Sequence, residues 1–379
     1  MSYINKDFFE NAENQQKAMQ INWEIADCLH QFGKLPCNGF PLVPYLLHKA
    51  SQYSNPFGIT LQAITDGKIE VNEDVRFMAK KVLIIMNPCS GTKKANKYLT
   101  DIVNIFTVND YVSTVLTTTK RGDGRIYAKN YAKKVDLIVC IGGDGTFNEV
   151  VSGVIQSGVR VPIGYIPAGS TNDFANSLHL SKGIVKAAHD IVQGEPVSLD
   201  IGTFNGRNFS YVASFGAFTK TSYATPQNVK NALGHLAYVL GGINSIASIR
   251  AEHMAFEVNG MKYEDDYIFG AISNSTSVGG ILTLKPELVD MSDGEFELLL
   301  VKAPHDLVEL GAIIHLLTTQ NYEDEMITFI NASEFNIHAS KETSWTLDGE
   351  YQEGMEEIKV VNMHHAIDLI MNGKFNGRK

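Results

Sequence analysis

The sequence predicts an α/β protein in which a doubly wound domain is followed by a second, β-rich domain. Between Lys81 and Asp200, short apolar runs alternate with helical stretches, the pattern of parallel strands covered on both faces by crossover helices. Beyond Asp200 the texture turns to alternating strands separated by Asn205-Gly206, Asn259-Gly260, Asp293-Gly294 and Asp348-Gly349, dipeptides that favour tight hairpins. A chain of 379 residues also exceeds what one hydrophobic core comfortably organises, and two domains offer a cleft.

Residues 1–79 read as a mainly helical appendage, with a helical stretch around Asp7–Phe32 and proline-punctuated turns at Pro36, Pro41, Pro44 and Pro56. The α/β domain is expected over 80–203. Its strands are Val82–Met86, Tyr111–Leu116, Val135–Ile141 and Val161–Ile166, and its helices lie near Lys93–Phe106, Gly124–Lys134, Phe147–Gln156 and Asn172–Leu178. A short strand Pro196–Leu199 ends at Asp200. The β-rich domain is expected over 204–360, with His305–Gln320 its one clear helix. The final run, Ala366–Met371, suits either that sheet or a return of 361–379 to the first domain.

The apolar fraction of 44% and charged fraction of 20% exclude a disordered or fibrous chain. Cys28, Cys37, Cys89 and Cys140 are too scattered for a disulfide framework, and no signal segment opens the chain, so the cytoplasm is the expected compartment. Cys28, His30 and Cys37 lack the paired spacing of a metal site. The uncharged stretch Asn231–Ile249 contains His235, Asn244 and three glycines, which favours a packed helix and loop over a membrane span. Net charge is −10, yet the segment Lys80–Val135 alone carries +8. That segment is either a set of solvated helix faces or a field for polyphosphate and anionic membranes. No interleaved aromatics point to nucleic acid.

Three strand-to-helix junctions carry the chemistry. Gly142-Gly143-Asp144-Gly145-Thr146 follows an apolar strand and opens a helix, where glycines allow close approach to phosphate oxygens and the first N–H groups are free. It is neither a G-x-G-x-x-G fingerprint nor a Walker loop. Pro167-Ala168-Gly169-Ser170-Thr171-Asn172-Asp173-Phe174 repeats that placement, although Ser170 and Thr171 alone would read as helix caps. Asn87-Pro88-Cys89-Ser90-Gly91 is the third, leading into Lys93, Lys94 and Lys97. Two helix amino termini facing one crevice suit a polyphosphate. Carboxylates at Asp144, Asp173, Asp200, Asp293, Glu295, Asp348 and Glu350 supply what phosphoryl transfer needs, a cation site and a group to activate the attacking hydroxyl.

These motifs, with the extension Phe147-Asn148-Glu149-Val150 and the Asp348-Gly349-Glu350 turn, resemble the diacylglycerol kinase catalytic-domain family, particularly its soluble bacterial lipid kinases, over roughly Lys81–Met371. Asn274 with Gly279-Gly280, and Leu284-Lys285-Pro286 running to Asp293-Gly294, are weaker echoes. The resemblance implies a sandwich-like second domain, with ATP and a lipid hydroxyl, diacylglycerol first among candidates, meeting between the two. It implies that Thr118, Gly142, Gly143, Asp144, Gly145, Thr146, Phe147, Asn148 and Ser170 contact nucleotide, with Asn87, Gly169 and Asp173 on the same cofactor surface. Asp348 or Glu350 would activate the acceptor. Asp144, Asp173 and Asp200 match positions associated with catalytic Mg2+, and Asp290, Asp293 and Glu295 match a structural metal loop, Asp290 and Glu295 through side chains or backbone carbonyls.

Ser170 replaces a usual threonine, keeping the hydroxyl, and Asn176 stands where arginine is frequent. The competing readings are another lipid or sphingoid-base kinase, an NAD kinase, and a catalytically silent nucleotide-binding protein. The Ser170–Phe174 junction disfavours the second, and retention of every acidic position disfavours the third. The acceptor implies peripheral contact with a membrane surface. For the first 80 residues, packing, homodimer formation and membrane contact all stay open.

Overall fold

The computed structural model describes residues 80–91, 94–216, 250–278 and 282–373. The predicted appendage before residue 80, Lys93, the stretch Asn231–Ile249 and Gly279-Gly280 lie outside the described residues.

The first lobe begins with β1 (Lys80–Met86), followed by α1 (Leu99–Val108), β2 (Tyr111–Thr117), α2 (Asp123–Tyr131) and β3 (Leu137–Gly142). Then come α3 (Asp144–Ser157), β4 (Ile163–Pro167), α4 (Asp173–Ser177) and α5 (Ile184–Gln193). The four strands run parallel in the order β2-β1-β3-β4. Their continuous apolar composition follows from burial on both faces. Val82 and Ile84 pack with Ile102 and Phe106 of α1 and Ile191 of α5. Leu83 and Ile85 pack against Ala128 of α2 and Phe147, Val150 and Val154 of α3. Helix α3 starts at Asp144, three residues earlier than expected, so Asp144, Gly145 and Thr146 form its first turn. Helix α5, absent from the sequence reading, starts at Ile184 behind Gly183, which has no side chain to cap it and so gave no start signal.

The second lobe contains β5 (Glu195–Phe204), β6 (Arg207–Phe209), β7 (Val212–Gly216), β8 (Glu252–Val258) and β9 (Met261–Ser273). The ribbon β10 (Ser277–Val278) and β11 (Leu282–Thr283) follows, then β12 (Phe296–Lys302), α6 (Leu307–Thr319), β13 (Ile327–Ala332) and β14 (Glu334–His338). The last strands are β15 (Trp345–Leu347), β16 (Glu350–Gln352) and β17 (Glu357–Met371). Phe204, Phe209, Phe215, Phe256, Phe296 and Trp345 fill the interior of this lobe.

Asn205-Gly206, Asn259-Gly260 and Asp348-Gly349 are two-residue hairpin turns, and both residues of each have positive φ, as their right-handed strand twist requires. Asp293-Gly294 is a correction: it sits in the loop before β12 and turns no hairpin. Asp200 is a second, lying in the middle of β5 rather than at a strand end. The last run does both things considered for it. Strand β17 pairs antiparallel with β5 and β14, and at Leu369 it pairs parallel with Ile163 of β4.

Candidate active site

Because β2 and β3 lie on opposite sides of β1, the chain reverses direction across the sheet there, and ligands of such sheets bind beyond the strand ends at that reversal. The loops after β1, β2, β3 and β4 meet at this place. The Thr118 N–H donates to the Met86 carbonyl, the Asn87 N–H to Ile141, and the Ala168 N–H to Gly142. Across the reversal the Asn87 side chain donates to Thr146 Oγ1 at 3.1 Å. The loops pack backbone against backbone: a Cβ on Gly169 would sit 2.6 Å from Gly143 Cα, and one on Gly91, at φ 51°, 2.4 Å from the Ala168 carbonyl. No other residue fits either position without moving the cradle.

The result is a groove of about 450 Å³ lined by Asn87, Ser90, Thr118, Gly143, Gly145, Thr146 and Glu350, with Lys120 and Arg121 on its rim. Gly145 and Thr146 present the open first turn of α3. A second hollow of about 620 Å³ shares Arg121, Gly145, Glu149 and Glu350 with it and adds Arg125, Asn148, Arg207 and Asn208.

The expected site residues divide by what their side chains do. Phe147, expected to contact nucleotide, has no exposure and stacks on Tyr165 and Phe174 at 4.4 and 4.7 Å; it is a core residue whose place after the glycine turn comes from packing α3 on the sheet. Asn148, also expected at the nucleotide, lines the second hollow and donates to Asp348 Oδ2 at 2.6 Å, tying α3 to the β15–β16 turn. Glu149 accepts from the N–H groups of Gly122 and Gly124 and fixes the loop after β2. Ser170 and Thr171 do not cap α4: both are exposed, and the Asp144 carboxylate takes the cap role, accepting from the N–H groups of Asp173 and Phe174 at 3.2 and 3.3 Å. The second helix terminus is therefore occupied by protein, and α4 has only five residues, so among the described residues the α3 terminus is the one left open to the groove. Burial raises the Asp144 pKa, outweighing those hydrogen bonds.

Asp348 and Glu350 separate clearly. The Asp348 carboxylate is buried and accepts from the N–H groups of Ser210, Tyr211 and Val212 besides Asn148; even so, burial pushes its pKa up to about 6. Glu350, 40% exposed, leans over Gly145, its Oε1 3.7 Å from where a Cβ there would be. Arg121 of the first lobe and Arg207 of the second bind its Oε2 at 2.5 and 2.8 Å. Neither arginine was singled out from sequence; Arg121 was visible only as one charge in the basic segment.

Asp200 is wired away from the Asp144–Asp173 junction. It is fully buried, accepting from the N–H groups of Gly294 and His365, from Asn362 Nδ2 and from His364 Nδ1. The loop it anchors carries Asp290, whose Oδ1 accepts from Ser292, and Asp293, whose Oδ1 accepts from the Glu295 N–H. Burial raises the Asp293 pKa, and the charges of Asp290, Glu295 and Asp200 add to it. Oxygen donors gathered on this loop suit a hard divalent cation, and the His364 and His365 rings stand beside them, His364 Nδ1 3.1 Å from Asp200 Oδ1.

Two family models match, the diacylglycerol kinase catalytic domain over residues 81–204 and the YegS C-terminal NAD kinase beta sandwich-like domain over 213–369. A diacylglycerol kinase of Bacillus subtilis (strain 168) is 33% identical over 77% of this chain and 96% of its own length. One from Staphylococcus aureus (strain bovine RF122 / ET3-1) is 30% identical over 77% and 92%. A crystal structure of a diacylglycerol kinase from Bacillus anthracis str. Sterne superposes with a TM-score of 0.61 at 24% identity, covering 77% of this chain and 97% of that one. A further structure from that organism gives 0.64 at 26% over the same shares. Fold and site thus define a two-lobed kinase, a class that implies ATP use. The chain belongs to the diacylglycerol kinase catalytic-domain family. Among the described residues no helix is long and apolar enough to cross a membrane.

Proposed function

We propose that this chain transfers the γ-phosphoryl group of ATP to a lipid hydroxyl, with diacylglycerol as acceptor and phosphatidic acid as product. The observation that carries the reading is the meeting of Glu350, from the second lobe, with the open helix turn at Gly145 in the first. The α3 terminus and the glycine cradle would bind phosphate oxygens, and Lys120 and Arg121 would add positive charge at the rim. Glu350 would accept the acceptor's proton as its oxygen bonds to the γ-phosphorus and the bond to the β–γ bridging oxygen breaks, releasing ADP. Asp144 and Asp173 would hold Mg2+, which when bound neutralises charge on the transferring phosphoryl group, and the Asp290–Glu295 loop would hold a second, structural ion. Asp348 then serves as a positioning residue that fixes the turn carrying Glu350. Contact with the bilayer would be peripheral, through the basic segment.

The test is transfer of radiolabel from γ-labelled ATP to a mixed lipid extract, with the product identified by mass. Label in phosphatidic acid is expected. Label only in another phospholipid would reassign the acceptor, and label in NADP from added NAD with none in lipid would refute the reading.

A further inference from the structure

Strand β17 bends where its pairing with β5 shifts register, between Met363 and Ile367, and His364 and His365 occupy the bend. Neighbouring residues of a regular strand point to opposite faces. Here His365 has a φ of 50°, and the bulge turns both imidazoles the same way, so that their rings stack at 3.6 Å. The buried Asp200 carboxylate of β5 lies against them: its Oδ1 is 3.1 Å from His364 Nδ1 and accepts from the His365 N–H. One ligand atom from each of the three residues lies within 4.8 Å of the other two.

The surroundings hold these groups in place. His365 Nε2 donates to the Ser292 carbonyl at 3.1 Å, which fixes the proton there and leaves Nδ1 its lone pair, the way a metal-binding histidine is usually anchored. Asp200 Oδ2 accepts from the Gly294 N–H and from Asn362 Nδ2. His364 is 51% exposed, so the cluster is open to solvent on one side. Two imidazolium ions would repel at this stacking distance, so at least one ring is neutral. The separation of His364 Nδ1 from Asp200 Oδ1 suits a hydrogen bond, and it equally suits two donors on one ion, which stand about 3 Å apart when each bond is about 2.1 Å. A separate observation points to an ion. Asn362 is 8% exposed and Asn274 fully buried; their amide nitrogens donate to Asp200 Oδ2 and to the Asp200 main-chain carbonyl, yet neither Oδ1 has a hydrogen-bond partner among the described residues. Buried amide oxygens left without a donor are uncommon, and two of them attached to one carboxylate residue call for a cation or for water bound to one.

We propose that Asp200, His364 and His365 bind a divalent transition-metal ion of the zinc type. As the ion takes its place beside Asp200, the His364 proton moves from Nδ1 to Nε2. Imidazole nitrogens favour such ions over Mg2+, which prefers oxygen, so this site differs in kind from the Asp290–Glu295 loop beside it. The ion joins β5 to the bend of β17, the strand that both lobes share. The proposal does not depend on which acceptor is phosphorylated, nor on phosphoryl transfer at all.

The experiment uses the full chain after dialysis against a chelator. Calorimetric titration with ZnCl2 should show binding that MgCl2 at the same concentrations does not compete away. Zinc at about 100-fold excess over its Kd should raise Tm by roughly 4 °C, with no such rise in MgCl2. His364→Ala, at an exposed position, should weaken zinc binding on the order of 100-fold and abolish the Tm shift. The control is His253→Ala, which removes a histidine lying beside Asp266 and Glu264 and should change neither. Zinc binding unchanged in His364→Ala, equal loss in His253→Ala, or displacement of zinc by MgCl2 would overturn the proposal. One measurement needs no variant: one equivalent of Cu2+ on the wild-type chain should give an electron paramagnetic resonance spectrum split by the nitrogens of two imidazoles. Splitting from one imidazole, or from none, would overturn the proposal as well.

Discussion

The buried carboxyl of Asp348 makes the stability of this lobe depend on pH in a direction opposite to that of an ordinary salt-bridged aspartate. Its pKa moves from 3.8 to about 6, so the folded chain holds the proton more tightly than the unfolded chain. Below about pH 3 the group is protonated in both states and imposes no cost. As pH rises past 6 it must ionise inside the protein, and about two pKa units at about 1.4 kcal/mol each amount to a loss of ~3 kcal/mol. Between pH 4.5 and 7.5 about 2 kcal/mol of that appears. Asp348→Asn carries no ionisable group there, so whatever its fixed cost from a misplaced amide, that cost is constant with pH. Urea unfolding of both proteins at the two pH values isolates the term. The gap between them should shift by about 2 kcal/mol in favour of the mutant on going from pH 4.5 to 7.5. Parallel dependences would show that the three backbone donors and Asn148 already compensate burial and that the reasoning fails.

Glu350→Gln should depress kcat by orders of magnitude with little change in the KM for ATP, because a proton acceptor acts mainly in the transition state; steady-state kinetics would check it. Asp144→Asn should retain the native circular dichroism spectrum and lose most turnover, and wild-type-like activity would remove Asp144 from the mechanism. Phe147→Ala should cost about 3–5 kcal/mol in denaturant unfolding while the folded fraction keeps its ATP affinity, as a core side chain requires. Vesicle sedimentation should show binding to anionic but not neutral lipid at low salt, lost when Lys93, Lys94 and Lys97 become glutamate, at about 1 kcal/mol per charge; equal binding to both vesicle types at every salt concentration would exclude the electrostatic route.

What could be read in the sequence was whatever is local. The glycine junctions announce themselves because an apolar run, a turn and a helical period are adjacent along the chain, and the Asn-Gly and Asp-Gly hairpins depend on two residues each. The wiring between them is not local. Glu149 and Gly122 are 27 residues apart, Arg207 and Glu350 are 143 apart, and Asn148 and Asp348 are 200 apart. Phe147 shows the same difficulty at a single position: a motif fixes which residue follows the turn, and only the sheet beneath α3 decides that its ring points inward. The division of labour between Asp348 and Glu350, two residues apart on one hairpin, likewise depends on which of them faces the backbone of β7.

Strand β17 is held by the sandwich at one end and by the parallel sheet at the other, so the two lobes are joined by a shared plank rather than by a hinge. Bending them apart would break the pairing of Leu369 with Ile163 of β4, on the stretch of β17 that β5 holds from its other side beyond the bulge between Met363 and Ile367. On the reading proposed above, substrate entry would then fall to side chains and loops at the cleft, which the Arg121–Glu350–Arg207 ion pairs span. The shared strand also means that the lobes should melt as a single unit, since neither can lose its edge without stripping the other of a strand.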